Sequence, residues 1–336
     1  MMNMTIAVQD TSNLLGLEGL TLRNYRSPSD WEAMARVLCA SRVADGLEES
    51  RHASQLQDLY GTMKNFVLER DLFLVEYNQQ LIGYGGSRWW QETDGNFVHA
   101  IWWFVLPEWR DRGIPEFLLE RLSGHARTMA QAHAPDAQVW FQSFASDKTI
   151  WIGELLRVRG FAPVRYFYEM VCAQLGQLPD APLSPGIQVR PAQPEQYRQV
   201  WQANVEAFAE HWGEQIYDEA DYARFLKRPD IQPAHWQIAW DGAEVVGMVL
   251  NYVDDEENAK YRRKRGHTEE ICVRKAWRGR GIAKALLVRS MEMFRDMGFD
   301  STTLGVDIDN PTGALRLYQS VGYETTETTV VYRKRM

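Results

Sequence analysis

The sequence predicts two α+β domains in tandem, on three observations. The segments Val105–Ile114 and Val273–Ile282 share the pattern V-x-x-x-W-R-x-R-G-I in register. A single Pro/Gly-rich stretch, Gln174–Gly186, interrupts otherwise patterned sequence near the midpoint. Each half also orders its β-like runs and amphipathic stretches in the same way, which marks an internal repeat.

The repeat can be followed element by element. Leu22-Arg23 and Val189-Arg190 each open a half, in a short β-like run before an amphipathic helical stretch. Leu81-Ile82-Gly83 and Val245-Val246-Gly247 each follow a polar turn, Asn78-Gln79-Gln80 in one copy and Asp241-Gly242 in the other, as the second strand of a hairpin does. The W-R-x-R-G-I segments come next, and Arg159-Gly160-Phe161 answers Val321-Gly322-Tyr323. The two copies are expected at 1–175 and 187–336, joined by a linker at 176–186. In the second copy a strand is expected over Glu269–Val273, then a helix over Ile282–Phe294 with Gly298 beyond its end. A strand over Ser301–Val306, a helix over Pro311–Val321 and a closing strand over Thr328–Tyr332 complete the copy.

Composition bounds the function. The 336 residues are 45% hydrophobic and 24% charged, which excludes disorder and suits two globular domains. A net charge of -8, from 37 basic and 45 acidic residues, removes the broad positive field that draws proteins to nucleic acid or anionic membrane; neither is an expected partner. No run reaches the roughly 18 apolar residues of a membrane span, and the first ten residues lack the basic and apolar regions of a signal peptide, so a cytoplasmic chain is expected. Cys39, Cys172 and Cys272 are widely spaced, so no disulfide and no metal site are expected.

The chemistry concentrates at Arg278-Gly279-Arg280-Gly281-Ile282-Ala283, where a strand hands over to a helix. Glycines there permit a sharp turn whose amide N–H groups face outward, and the helix start adds about half a positive charge. Such a turn can cradle a phosphate or pyrophosphate. It can equally be a plain tight turn, and it is neither a P-loop nor a dinucleotide fingerprint.

This segment resembles the R/Q-x-x-G-x-G/A acyl-CoA pyrophosphate motif of the GNAT superfamily of N-acetyltransferases. Asp307–Tyr323 (DIDNPTGALRLYQSVGY) is similar to that family's second signature, an Asn before a helix ending in L-Y-x-x-x-G-F/Y. The resemblance is specific in the second copy and looser in the first. It implies tandem acyl-CoA N-acyltransferase domains, each a mixed, mostly antiparallel sheet flanked by helices with a splayed parallel strand pair. It also implies acetyl-CoA as cosubstrate and, by analogy with tandem members, catalysis in the C-terminal copy.

Roles follow residue by residue from the resemblance. Backbone groups from Ile271 through Cys272 to Val273 would hold the pantetheine, and the N–H groups of Gly279, Arg280, Gly281, Ile282 and Ala283 the pyrophosphate. Arg278 and Arg280 would add charge at the mouth. Tyr318 aligns with the family's general acid. Glu269 occupies a position often acidic in the family and is the first choice of base; strand alternation places it on the side of Ile271 and Val273, with Glu270 opposite beside Cys272. His267, upstream on the side of Glu269, is a second candidate whose ordinary pKa of about 6.5 suits proton relay. Asn310 would contact the cofactor or cap the helix that follows Pro311. Cys272 as nucleophile is weaker than Cys272 as packing.

The acceptor site is expected along Ala207–Phe225, with Phe208, His211 and Trp212 as candidates for holding a cationic amine, and along the loop Asp254–Gly266. The first copy carries Leu156, Lys148, Ile101 and Pro115 where the second has Tyr318, Asn310, Glu269 and Ala283. Proline cannot donate at the turn, so this copy is expected to be degenerate. Two readings stand at this level: an N-acetyltransferase for a small-molecule amine, with protein N-acetylation as its variant, and a non-enzymatic acyl-CoA sensor. A homodimer is open.

Overall fold

The computed structural model describes residues 9–10, 15–133, 137–310 and 312–336. In chain order the strands are β1 (Gln9–Asp10), β2 (Leu20–Asn24), β3 (Leu72–Tyr77), β4 (Gln80–Gln91), β5 (Phe97–Val105), β6 (Val139–Ser146), β7 (Ala162–Cys172), β8 (Ile187–Val189), β9 (Gln237–Asp241), β10 (Glu244–Val253), β11 (Arg265–Val273), β12 (Ser301–Asp307) and β13 (Glu324–Arg335). The helices are α1 (Asp30–Ala44), α2 (Ala53–Gly61), α3 (Leu68–Asp71), α4 (Ile114–His133), α5 (Ile150–Val158), α6 (Tyr197–Phe208), α7 (Glu219–Phe225), α8 (Asp255–Tyr261), α9 (Ile282–Asp296) and α10 (Ala314–Ser320). Among the described residues no helix is long and apolar enough to cross a membrane.

The chain forms two compact units, Met1–Val164 with Val330–Met336, and Arg165–Thr329. This division differs from the expected 1–175, linker 176–186 and 187–336 at three stretches, the linker itself falling inside the second unit. Residues 165–175 belong with the second unit because β7 pairs with β12 antiparallel, from Phe167 opposite Asp307 to Cys172 opposite Thr302. The last residues belong with the first unit because the Arg333 guanidinium donates to Glu92 and Gln142 inside it. Strand pairing outweighs sequence proximity here, since an unpaired edge strand leaves a row of backbone donors and acceptors unsatisfied.

In the first unit β2, β3, β4 and β5 pair antiparallel in succession, and β5 pairs parallel with β6 from Phe97–Ala100 to Val139–Gln142. The β3–β4 hairpin turns through Asn78 and Gln79, both at positive φ, the conformation its polar turn residues foretell. In the second unit β8, β9, β10 and β11 pair antiparallel. β11 and β12 are parallel, and their pairing covers only Arg265–His267 with Ser301–Thr303. Beyond that the strands part, as a splayed pair must.

Helix packing buries both faces of the second unit's sheet. Val200, Ala203 and Ala207 of α6 join Met248, Leu250 and Cys272 in one apolar cluster. Ile282 and Leu286 of α9 join Val246, Val249 and Val273 in another, on the opposite face. The spacing of these helical residues, three or four apart, is the stripe of an amphipathic helix. Gly298, at φ 83°, ends α9 as expected.

Candidate active site

The decisive local feature is a bulge between β10 and β11. Cys272 stands opposite Met248, Glu269 opposite Leu250 and His267 opposite Tyr252, so Val249 faces both Glu270 and Ile271. Residue Glu270 absorbs the extra length at φ 48°, a left-handed conformation that side chains seldom adopt. The expected alternation is thereby corrected. Met248, Leu250 and Tyr252 share one face, so His267, Glu269 and Cys272 share it too, toward α6, while Ile271 packs on the α9 side. An extra residue shifts the two-residue period by one, and regular alternation fails from that point on.

Glu270 also faces α6. Its carboxylate accepts a hydrogen bond from Asn204 Nδ2 at 3.0 Å and lies 3.5 Å from the Arg228 guanidinium. Neither partner figures among the expected site residues. Asn204 had a signal: it is a polar residue within the apolar stripe Val200, Ala203, Ala207. Two consecutive glutamates in a strand were a second, one acid more than a single polar face requires.

The environment of Glu269 suits proton transfer. Burial pushes its carboxyl up to about 8, and the neighbouring carboxylates Glu169, Glu270 and Asp230 push the same way against Arg228. His267 is nine-tenths buried and stacks on Tyr252 at 4.3 Å. Burial lowers its pKa, which keeps the ring neutral near pH 7, and its Nε2 lies 3.7 Å from Glu257.

Tyr318 is buried on α10 at 5% exposure, 6.3 Å from the ring of Tyr323. Burial raises its pKa, and Tyr323, Glu269 and Cys272 push the same way. Tyr323 is held by Thr302 and Thr268, whose hydroxyls lie 2.7 and 3.1 Å from its own. The Cys272 thiol is buried and its pKa raised, so it packs rather than ionises.

The glycine turn opens α9. Gly279 at φ 77° and Gly281 at φ 74° both take the left-handed conformation, and a Cβ added to either meets nothing within 4 Å. The space beside the turn is therefore free for a bulky anion. Backbone bonding across the turn closes with Arg278 N–H donating to Lys275 and resumes with Ala285 N–H donating to Gly281. The arrangement fits a diphosphate, with Gly279, Arg280, Gly281, Ile282 and Ala283 as the donors available to hold it. Arg280 is exposed. Arg278 is instead a brace: its guanidinium donates to the Val273 carbonyl at 3.1 Å, the Ala207 carbonyl at 3.1 Å and Glu210 at 3.0 Å, tying the turn to the end of α6.

Asn310 lies beyond β12. Its Oδ1 accepts from the Thr312 amide at 2.9 Å and the Thr312 hydroxyl at 2.6 Å, and α10 begins only at Ala314, after Gly313 at φ 75°. The expected helix start is corrected accordingly: Asn310 caps a turn, not the helix, because the Asx bond closes before the helical dihedrals begin. Pro311 lies outside the described residues. His211 Nε2 is 3.5 Å from Asn310 Nδ2, Phe208 packs edge-on against His211 at 4.5 Å, and Trp212 lies 5.8 Å from the Arg165 guanidinium. Arg165 in turn pairs with Asp307 at 2.7 Å. The three expected acceptor-site residues thus gather near Asn310, at the end of β12. Burial lowers the pKa of His211, and Asp307, Arg278 and Glu270 all act on it.

The first unit keeps a parallel strand pair and one glycine of the turn, but its ladder has no bulge. The β4–β5 ladder runs without a register shift from Gly83 opposite Val105 to Gln91 opposite Phe97. Ile101 and Leu156 are buried core. Trp102, beside Ile101, packs against Tyr60 and Phe66 at 6.1 and 5.7 Å and donates to the Tyr60 hydroxyl at 3.0 Å. The turn keeps Gly113 at φ 76°, but Pro115 removes a donor from α4's first turn, and a Cβ at Gly113 would meet Leu15 at 3.3 Å.

The second unit thus combines a splayed parallel pair, a bulged central strand, an open glycine turn before a helix and a buried tyrosine beyond. Residues 31–139 and 197–323 each match the Acetyltransferase (GNAT) family, and the chain belongs to it as an N-acetyltransferase of tandem type. A mycothiol acetyltransferase of Pseudarthrobacter chlorophenolicus is 30% identical over 176 residues, covering 52% of this chain and 54% of that protein. One from Streptomyces scabiei is 27% identical over 326 residues, covering 96% and 98%. The crystal structure of a GCN5-related N-acetyltransferase from Sphaerobacter thermophilus superposes with a TM-score of 0.72 at 25% identity, covering 95% of this chain and 96% of that one.

Proposed function

We propose that the second unit transfers an acetyl group from acetyl-CoA to a primary amine of a small molecule, by direct attack in a ternary complex. The observation that carries this reading is the bulge at Glu270, which brings Glu269 to the α6 face that Cys272 and Leu250 share. Acetyl-CoA supplies the activated thioester. The residues from Gly279 to Ala283 would hold its diphosphate, and the β11 backbone from Ile271 to Val273 its pantetheine arm beside the splay.

Glu269 takes the proton of the incoming ammonium. A carboxyl poised near 8 is a stronger base than an exposed glutamate and better matched to an amine. His267, held neutral, is the second candidate and can pass the proton outward. Tyr318 gives its proton to the departing sulfur, and burial keeps that hydroxyl protonated until charge develops. Phe208, His211 and Trp212 form the acceptor wall. The first unit, with Ile101, Leu156 and an unbulged ladder in the corresponding places, is a scaffold without turnover.

The match to mycothiol acetyltransferases favours a small amine over a protein acceptor. The test is thiol release from acetyl-CoA with a panel of primary amines. Turnover lost in Glu269→Gln and Tyr318→Phe supports the assignment. Acetyl-CoA binding with no turnover on any small amine, or turnover untouched by both substitutions, overturns it.

A further inference from the structure

The stretch that sequence marks as a linker reaches the cofactor turn. Ser184 Oγ donates to the Arg280 carbonyl at 2.5 Å, 96 residues away in sequence. The donor is itself anchored. The Ile187 amide donates to the Ser184 carbonyl at 3.2 Å, Ile187 is buried, and Leu183 packs against the apolar cluster that holds Ile282 and Leu286.

The carbonyl it engages belongs to the peptide joining Arg280 to Gly281. In a trans peptide the C=O and N–H point in opposite directions, so a bond that holds the carbonyl also aims the N–H of the next residue. That N–H is Gly281's, at the centre of the turn. Gly279 and Gly281 flank Arg280, both at positive φ with open space around them, so little else prevents this peptide from turning over. Turned over, it would present a carbonyl oxygen where a diphosphate needs a donor.

We propose that Ser184 is a positioning residue for the diphosphate-binding turn, locking the Arg280–Gly281 peptide with its N–H outward. This rests on reading the turn as the acetyl-CoA diphosphate site. Ser184 touches no substrate atom. It acts by removing the alternative peptide orientation, so its contribution falls on cofactor affinity and not on the chemical step.

Titration calorimetry on the full chain tests this, with coenzyme A and pantetheine as probes. The second probe, plain pantetheine without its 4′-phosphate, keeps the arm and lacks every phosphate of the diphosphate. Ser184→Ala is expected to weaken coenzyme A binding by about threefold to tenfold, the worth of one hydrogen bond. Binding of pantetheine should be unchanged, and Ser184→Thr, which keeps the hydroxyl, should recover most of the loss. Unchanged coenzyme A affinity in Ser184→Ala overturns the proposal. So does equal weakening toward both probes, which would indicate a general disturbance of the second unit. If the wild-type protein bound both probes equally, the diphosphate reading of the turn would fail first and the role of Ser184 with it.

Discussion

Glu269 stands directly across from Leu250 in the β10–β11 ladder, and this pairing sets its carboxyl on the α6 face of the sheet, the face that Cys272 shares. One residue without the bulge would have sent it toward α9. On the proposed assignment, the position of the base rests on that single register shift.

The first prediction concerns pH and rate. Glu269 acts as a base only when ionised, so kcat/KM should rise with pH and level off above about 8. Glu269→Gln should lower kcat by about 10²- to 10⁴-fold and remove this limb. A pH–rate profile on both proteins with one saturating amine checks it; an unchanged limb in Glu269→Gln would show that Glu269 is not the base.

Tyr318→Phe removes a hydroxyl and little volume. It should lower kcat by about 10²-fold or more, with KM for acetyl-CoA nearly unchanged, because the lost contribution arises only as the sulfur departs. Steady-state kinetics with acetyl-CoA varied separates the two parameters.

Glu269 also links stability to pH. Its folded pKa is raised, from 4.5 to about 8, so the native state binds the extra proton across that interval. Stability from this group is fully present below about 4.5 and is lost as pH rises through 8. Glu269→Gln should therefore unfold at a higher temperature than wild type at pH 9 and at the same temperature at pH 4. Thermal melts at the two pH values read the difference, and a gain of equal size at both would rule out the linkage.

In the first unit, Arg333 is 8% exposed and Glu92 3% exposed. Their buried pair, with Gln142 as a third partner, fastens the end of β13 beside β6. Arg333→Ala leaves a buried carboxylate without its cation and should destabilise that unit by about 3–5 kcal/mol. Urea unfolding followed by tryptophan fluorescence should show an earlier transition for the first unit. Arg333→Met, which fills the same space, should fare no better, since the cost is the orphaned charge.

The duplicated pattern W-R-x-R-G-I, the hairpin turns and the α9 stripe were readable in the sequence because each is local: adjacent dihedrals and a helical period decide them. Tyr318 and Glu269 could be singled out through the resemblance to the family's motifs, and Gly281 by its place in a glycine turn between strand and helix. Other features belong to no local stretch. The face on which Glu269 projects depended on how Val249 is matched across the ladder, Arg278 became a brace only once α6 lay against the turn, and Asn310 capped a turn because α10 starts late. The ownership of residues 165–175 and 330–336 was likewise set by strand partners far away in sequence. Sequence by itself determined the elements and the residue types that carry the chemistry. Which of them meet was left to tertiary structure, because hydrogen-bond pairing between strands is a non-local choice that a single register step can reverse.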